Sequence, residues 1–271
     1  MFGDGLPRAF ERPLEFLFEG RLSPAEQQAV CKVESIRQTV AGQPSSFEVV
    51  NRDGKVLQLT ASQIAHGVSI SPEWGVFLYL CSESFGARTV LELGSCAGIS
   101  GCYLASSKHC ERFVTVEAST ALASLARANI RQVSEKAEVV NALFDDALDE
   151  ILPALRGGID LAYIDGHHKY EATLHYFRRL EPHLNEGGLM VFDDIHLSEG
   201  MFRAWQVIKG WEGFAYTISA GRFGLCLRGG PASTTVHYNL CPYFGCLRVG
   251  LRRSGHPPSP KPNNPTGPTP R

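Results

Sequence analysis

No apolar run in the 271-residue chain approaches the roughly 18 to 20 residues that a membrane-spanning helix requires. A transmembrane or membrane-bound role is therefore not expected. The opening Met-Phe-Gly-Asp-Gly-Leu-Pro-Arg has no basic flank followed by an apolar core, which speaks against a secretory signal. Charge of one sign is also missing. A net charge of −2 gives no reason to expect nucleic acid or an anionic membrane as partner. The eight cysteines include no Cys-x-x-Cys pair and no companion histidines at zinc-finger spacing. Several fall inside apolar patterns, where a reduced cysteine packs as a small hydrophobe. A reduced, cytoplasmic protein is the simplest reading.

What is present is an alternation of strand and helix patterns around one stretch, Val90-Leu-Glu-Leu-Gly-Ser-Cys-Ala-Gly-Ile-Ser-Gly101. A buried strand that feeds a helix across glycines brings backbone N–H groups close to a ligand. Gly94 permits the sharp turn, and Gly98 is expected to remove a side chain where a ligand presses on the backbone. Cys96 stands where a G-x-G-x-x-G fingerprint needs its second glycine, so pyrophosphate binding and nicotinamide-linked oxidoreduction are disfavoured. Strands are expected at 90–93, 113–117, 137–140, 160–164 and 189–192. Helices are expected at 100–107, 121–132, 148–155, 170–184 and 200–210. Repeated β-α units of this kind imply a mainly parallel sheet covered on both faces. The runs 214–219 and 223–227, with Gly221 in the short turn between them, suggest an antiparallel pair at the sheet edge.

Upstream, Ser23-Pro-Ala-Glu26 reads as a capped helix start, and Ser71-Pro-Glu73 as a second. The runs 47–50 and 56–59 flank Asn51-Arg-Asp-Gly54, a hairpin turn signature. Residues 1–70 are expected to form a cap segment and 71–230 the main domain. An extension, 231–271, should be disordered from about 254, where seven prolines fall between Gly255 and Arg271 and little apolar surface offsets chain entropy.

Ligands of such sheets bind beyond the carboxyl ends of the strands. Glu117 closes the second strand, where a carboxylate accepts hydrogen bonds from ribose hydroxyls. Asp165, Asp193 and Asp194 close two further strands, and His167, His168, Lys169 and His196 lie on the same rim. The stretch 90–100, with Val-Thr-Val-Glu117 after it, resembles the class I S-adenosylmethionine-dependent methyltransferases. Ile164-Asp-Gly-His-His-Lys-Tyr170 and Gly187-Gly-Leu-Met-Val-Phe-Asp-Asp194 resemble the methyltransferase family 24 and catechol O-methyltransferase-like groups. The resemblance spans about Ser71 to Leu227.

It implies a three-layer, doubly wound, mainly parallel Rossmann-like sheet of seven strands, the last reversed, under the helical N-terminal cap. It also implies S-adenosyl-L-methionine as cofactor and O-methylation of a small-molecule hydroxyl. The implied cofactor residues are Glu92, Gly94, Ser95, Gly98, Ser100, Glu117, Ala118, Phe144 and Asp165, although Phe144 also reads as a core residue. His168 falls where the pattern has a catalytic lysine, so His168, Lys169 and, secondarily, His196 are candidate bases. Three carboxylates at adjacent strand ends suit a hard divalent ion such as Mg²⁺, with Asp165, Asp193 and Asp194 as ligands. Against that, the family's usual final pair is Asp-Asn rather than Asp193-Asp194. A metal-free reading, with one of these aspartates capping the next helix, stands beside it, as does a binding protein that kept the pocket without catalysis.

Overall fold

The structure is a computed structural model that describes residues 6–50, 55–229 and 234–244. Ten strands alternate with nine α-helices among these residues. The central strands are β3 (Thr89–Leu93), β4 (Arg112–Val116), β5 (Ala137–Val140), β6 (Ile159–Ile164), β7 (Leu184–Phe192), β8 (Phe214–Ala220), β9 (Phe223–Arg228) and β10 (Val236–Asn239). They form one sheet in the order β10-β8-β9-β7-β6-β3-β4-β5. Pairings from β5 to β7 are parallel, and β9 runs antiparallel to both β7 and β8.

The expected seven strands are all present, with one reversed. Two details differ. The late pair is not at the edge, because β9 inserts beside β7 and β10 adds an eighth strand parallel to β8. An uncovered β8 would leave a row of unpaired N–H and C=O groups. β10 pairs with that row, Tyr238 stacking on Tyr216 at 6.3 Å between ring centroids.

The middle strands are buried on both faces, as parallel strands covered by helices must be. Alternate residues serve two cores. Val90, Phe113, Tyr163 and Val191 pack with α4 (Pro72–Ser84), α5 (Ile99–Ala105) and α6 (Thr120–Ile130). Leu91, Val114, Ala162 and Phe192 pack with α7 (Phe144–Ala154), α8 (Tyr170–Leu180) and α9 (Glu199–Ile208).

The N-terminal segment joins the first core through Phe10, Leu14, Val33, Ile36 and Val40. Its helices are α1 (Glu11–Glu19), α2 (Pro24–Ala41) and the short α3 (Ala61–Gln63). The capping box expected at Ser23 and Glu26 is formed, and Glu26 is further held by Arg12. Arg37 of α2 is buried and donates to the Ala65 carbonyl at 2.7 Å, and Tyr103 of α5 donates to Glu34 at 2.7 Å. The hairpin strands β1 (Ser46–Val50) and β2 (Val56–Thr60) pair antiparallel. The turn expected at 51–54 and the tail expected to be disordered lie outside the described residues.

Strand order reverses between β3 and β6, whose connections leave in opposite directions. In open sheets of this kind ligands bind at such a switch point, beyond the carboxyl ends of the strands.

Candidate active site

Gly94 leaves β3 with φ +100°, and a Cβ built there would sit 2.1 Å from the Asp165 carbonyl oxygen. Only glycine permits this approach of the loops after β3 and β6. The turn is tied to the neighbouring strand by Gly94 and Ser95 N–H groups that donate to the Val116 carbonyl. Gly98 also has a packing role. Its φ is +79°, and a Cβ there would meet Ala126 Cα at 2.8 Å, so the glycine permits the packing of α5 against α6.

The non-glycine residues at positive φ among the described residues are Cys96, His167, His168 and Asp194. All follow β3, β6 or β7. Such backbone strain, held in place by surrounding structure, gathers where ligands bind.

Glu117 stands just beyond β4. Its carboxylate accepts from the Cys96 N–H at 2.9 Å and from the Ser119 N–H at 2.9 Å. Each oxygen retains a lone pair for another donor. Burial pushes its carboxyl up, and the backbone N–H bonds restrain the rise. The following loop is clamped by Asn141, whose Nδ2 donates to the Glu117 and Ala118 carbonyls. Ser95 is buried and its hydroxyl has no partner among the described residues. Phe144 is also buried, edge-on to His167 and Tyr176, which fits the core role weighed for it.

Glu92 and Ser100 sit beneath the cradle. Glu92 is fully enclosed and accepts from Thr115 Oγ1 at 2.6 Å. Its second oxygen lacks a partner. Burial pushes its carboxyl up to about 7 from 4.5. An acid whose folded pKa exceeds its unfolded one destabilises the fold as pH rises, with no penalty below the unfolded value and the full penalty above the folded one. That penalty is on the order of 3 kcal/mol here. Glu92→Gln should therefore flatten the fall in urea stability of the ligand-free chain between pH 5 and 8. A slope equal to that of the wild type would place the charge elsewhere.

At the other lip, Asp193 is fully buried at the end of β7. Arg222, in the turn between β8 and β9, grips it bidentately, Nε to Oδ1 at 2.5 Å and Nη2 to Oδ2 at 2.8 Å. The same Nη2 lies 3.0 Å from Asp194 Oδ1. The Tyr163 hydroxyl donates to Asp193 at 2.7 Å and lies 3.2 Å from Asp165 Oδ2. Burial raises the Asp193 carboxyl, and Arg222 opposes that rise.

His168 Nε2 is 3.3 Å from Asp165 Oδ1. Burial disfavours its charged form, but the Asp165 hydrogen bond and charge win and carry it up to about 9. Asp165 in turn is held below its usual range: burial works against ionisation, and the His168 bond and charge outweigh it.

Residues 91–195 match the methyltransferase domain family, and the match runs from the glycine turn through Glu117 and His168 to Asp194. Over these residues the chain is similar to the class I S-adenosylmethionine-dependent methyltransferases and, among them, to the catechol O-methyltransferase-like group. A catechol O-methyltransferase of Mycobacterium tuberculosis is 29% identical over 183 residues, covering 56% of this chain and 80% of that enzyme. An uncharacterised protein of Acanthamoeba polyphaga mimivirus is 41% identical over 51 residues, which cover 19% of this chain and 23% of that protein. The fold is shared with the O-methyltransferase of Bacillus cereus, solved in complex with SAH. The TM-score is 0.57 at 21% identity, over 81% of this chain and 97% of that one. It is shared too with TomG of Streptomyces achromogenes, solved with SAM, at TM-score 0.54 and 18% identity, over 80% and 96%.

In this methyltransferase the rim candidates separate. His168, Asp165, Asp193 and Asp194 come together, and Tyr163 and Arg222 join them. His167 turns to the aromatic cluster, its ring 5.7 Å from Tyr176. Lys169 is exposed and precedes α8. His196 lies 3.3 Å from Cys241 Sγ, so the extension docks on the rim as far as that cysteine.

The residues do not fit the divalent ion expected from three carboxylates. Two of the three are engaged by a guanidinium. No group of three His, Cys, Asp or Glu among the described residues is arranged to hold a metal. Tyr163 carries a faint sequence signal, two residues before Asp165 on the same strand face. Arg222 carries none beyond its place in a short turn.

Proposed function

We propose that this chain transfers the methyl group of S-adenosyl-L-methionine to a hydroxyl oxygen of a small molecule. The observation that carries the reading is the cradle at Gly94. Its loop lies against Glu117, which holds spare acceptor capacity, and against the unpartnered Ser95 hydroxyl. A ribose offers two hydroxyl donors that match such a carboxylate, and the carboxylate's charge suits a cationic cofactor with no pyrophosphate.

When bound, the cofactor supplies an electrophilic methyl group on a sulfonium whose thioether product leaves readily. The chain's own tasks are then alignment and deprotonation. Orientation can contribute roughly 7 to 11 kcal/mol of such a barrier. His168, oriented by Asp165, takes the proton of the acceptor hydroxyl. The mycobacterial relative is named for catechol, which makes catechol the first acceptor to try. The match to a methyltransferase domain family, with a catechol O-methyltransferase among the relatives, favours this reading over a binding protein without catalysis.

Calorimetry with S-adenosylmethionine and S-adenosylhomocysteine tests it. Both should bind, and Glu117→Ala should weaken them by roughly 10- to 100-fold, the loss of about one hydrogen bond to a charged group. Absence of heat from well-folded wild-type chain would remove the proposal.

A further inference from the structure

The cation at the acid rim is part of the chain. Arg222 sits in the turn between β8 and β9, and its carbonyl accepts from the Ile195 N–H at 3.1 Å. That bond fixes the turn on the loop after β7, where Asp193 and Asp194 lie. The guanidinium is bidentate to Asp193 and reaches Asp194, a fork-to-fork geometry that a planar guanidinium suits and a lysine does not. Asp194 N–H donates to Asp193 Oδ1 at 2.6 Å, and the Tyr163 hydroxyl takes a further lone pair of Asp193. A magnesium ion needs oxygen ligands at about 2.0–2.1 Å in near-octahedral array, and these lone pairs already hold N–H and O–H donors. Arg222 is 29% exposed, and its Nη1 makes no hydrogen bond among the described residues.

We propose that Arg222 is the resident cation of the acceptor site. It closes Asp193 and Asp194 to divalent ions and turns its unused N–H groups toward the acceptor oxygen, so methyl transfer needs no metal. The proposal rests on the O-methylation reading for its acceptor, but its metal half is testable without any acceptor. Three carboxylates facing one crevice would attract a divalent ion if nothing held them. Here Arg222 balances the pair at the end of β7, and His168 balances Asp165.

The test is titration of the full chain with Mn²⁺ alone, read as loss of the free-ion electron paramagnetic resonance signal. Wild type and Arg222→Lys should bind no stoichiometric Mn²⁺. Arg222→Met, with the carboxylates released, should bind one equivalent at least about tenfold more tightly than wild type. Wild-type turnover of catechol should be unchanged by EDTA or added Mg²⁺. If Arg222→Met does not fold, the wild-type and Arg222→Lys titrations still decide. One equivalent of Mn²⁺ held by wild type and released in Asp194→Asn would overturn the proposal, as would inactivation by EDTA. Failure of the O-methylation reading shows elsewhere, as missing heat with S-adenosylhomocysteine, and leaves the Mn²⁺ result standing.

Discussion

Gly94→Val should abolish binding of S-adenosylhomocysteine and lower the stability of the chain by roughly 3 kcal/mol or more. Two separate penalties meet at this residue. At φ +100° a β-branched residue is a backbone outlier, and strain of that kind costs on the order of 1–3 kcal/mol. The new Cβ would also fall 2.1 Å from a backbone oxygen of Asp165, which cannot rotate aside, and overpacking adds roughly 1–3 kcal/mol. Relief requires the loops after β3 and β6 to part, and that moves the Cys96 N–H away from Glu117 and Asp165 away from its partners.

Gly86→Ala separates the two penalties. Its φ is +60° with nothing within 4 Å of the built Cβ, so it should show a backbone penalty of about 1 kcal/mol and unchanged cofactor affinity. Gly98→Ala should destabilise through Ala126. Urea denaturation and calorimetry on the three variants check the series. Equal behaviour of Gly94→Val and Gly86→Ala would mean that the contact with Asp165 does not matter.

The sheet was legible because its central strands are buried on both faces, and such strands appear as unbroken apolar runs that need no partner to be identified. The glycine turn, Glu117 and the three aspartates were legible for a related reason. Each ends one of those strands, and a parallel sheet gathers its strand ends at one edge. What stayed hidden depends on contacts between distant segments.

The role of Gly98 is set by Ala126 on another helix, which no local spacing reveals. Phe10 enters the first core from a 3-10 turn at Arg8–Phe10 that runs directly into α1, a change of helical pitch with no periodic signature in the sequence. β10 follows the main domain as a short run with one half-buried residue, and only the open edge of β8 gives it a reason to be a strand. Arg222 is the clearest instance. Three carboxylates at two strand ends imply a cation, and composition offers no means of telling an ion from a side chain delivered by a hairpin turn.

His168→Ala should lower kcat for catechol by roughly 10²- to 10⁴-fold, the range for loss of a positioned proton acceptor, and leave the affinity for S-adenosylhomocysteine near that of wild type. The wild-type pH profile is the more specific reading. Asp165 carries the imidazole up to about 9, so at neutral pH His168 holds a proton that it must release before it can accept another. The competent fraction rises with pH, and log kcat should climb by about one for each pH unit below that value and level off above it. A pKa this high suits the task. An imidazolium near the pKa of a phenol, about 10 for tyrosine, makes proton transfer from the acceptor nearly balanced, whereas an unperturbed histidine would face an uphill transfer of several units.

Asp165→Asn removes the charge that raises His168 and leaves only a weaker, neutral hydrogen bond, and should move the rising limb to lower pH with a smaller plateau, since the acceptor's proton then leaves less readily. A structural role for the pair would give a lower rate with the limb unmoved. A flat profile through neutral pH in the wild type, or an unchanged kcat in His168→Ala, would take proton removal away from this histidine and leave alignment of the acceptor as the chain's contribution.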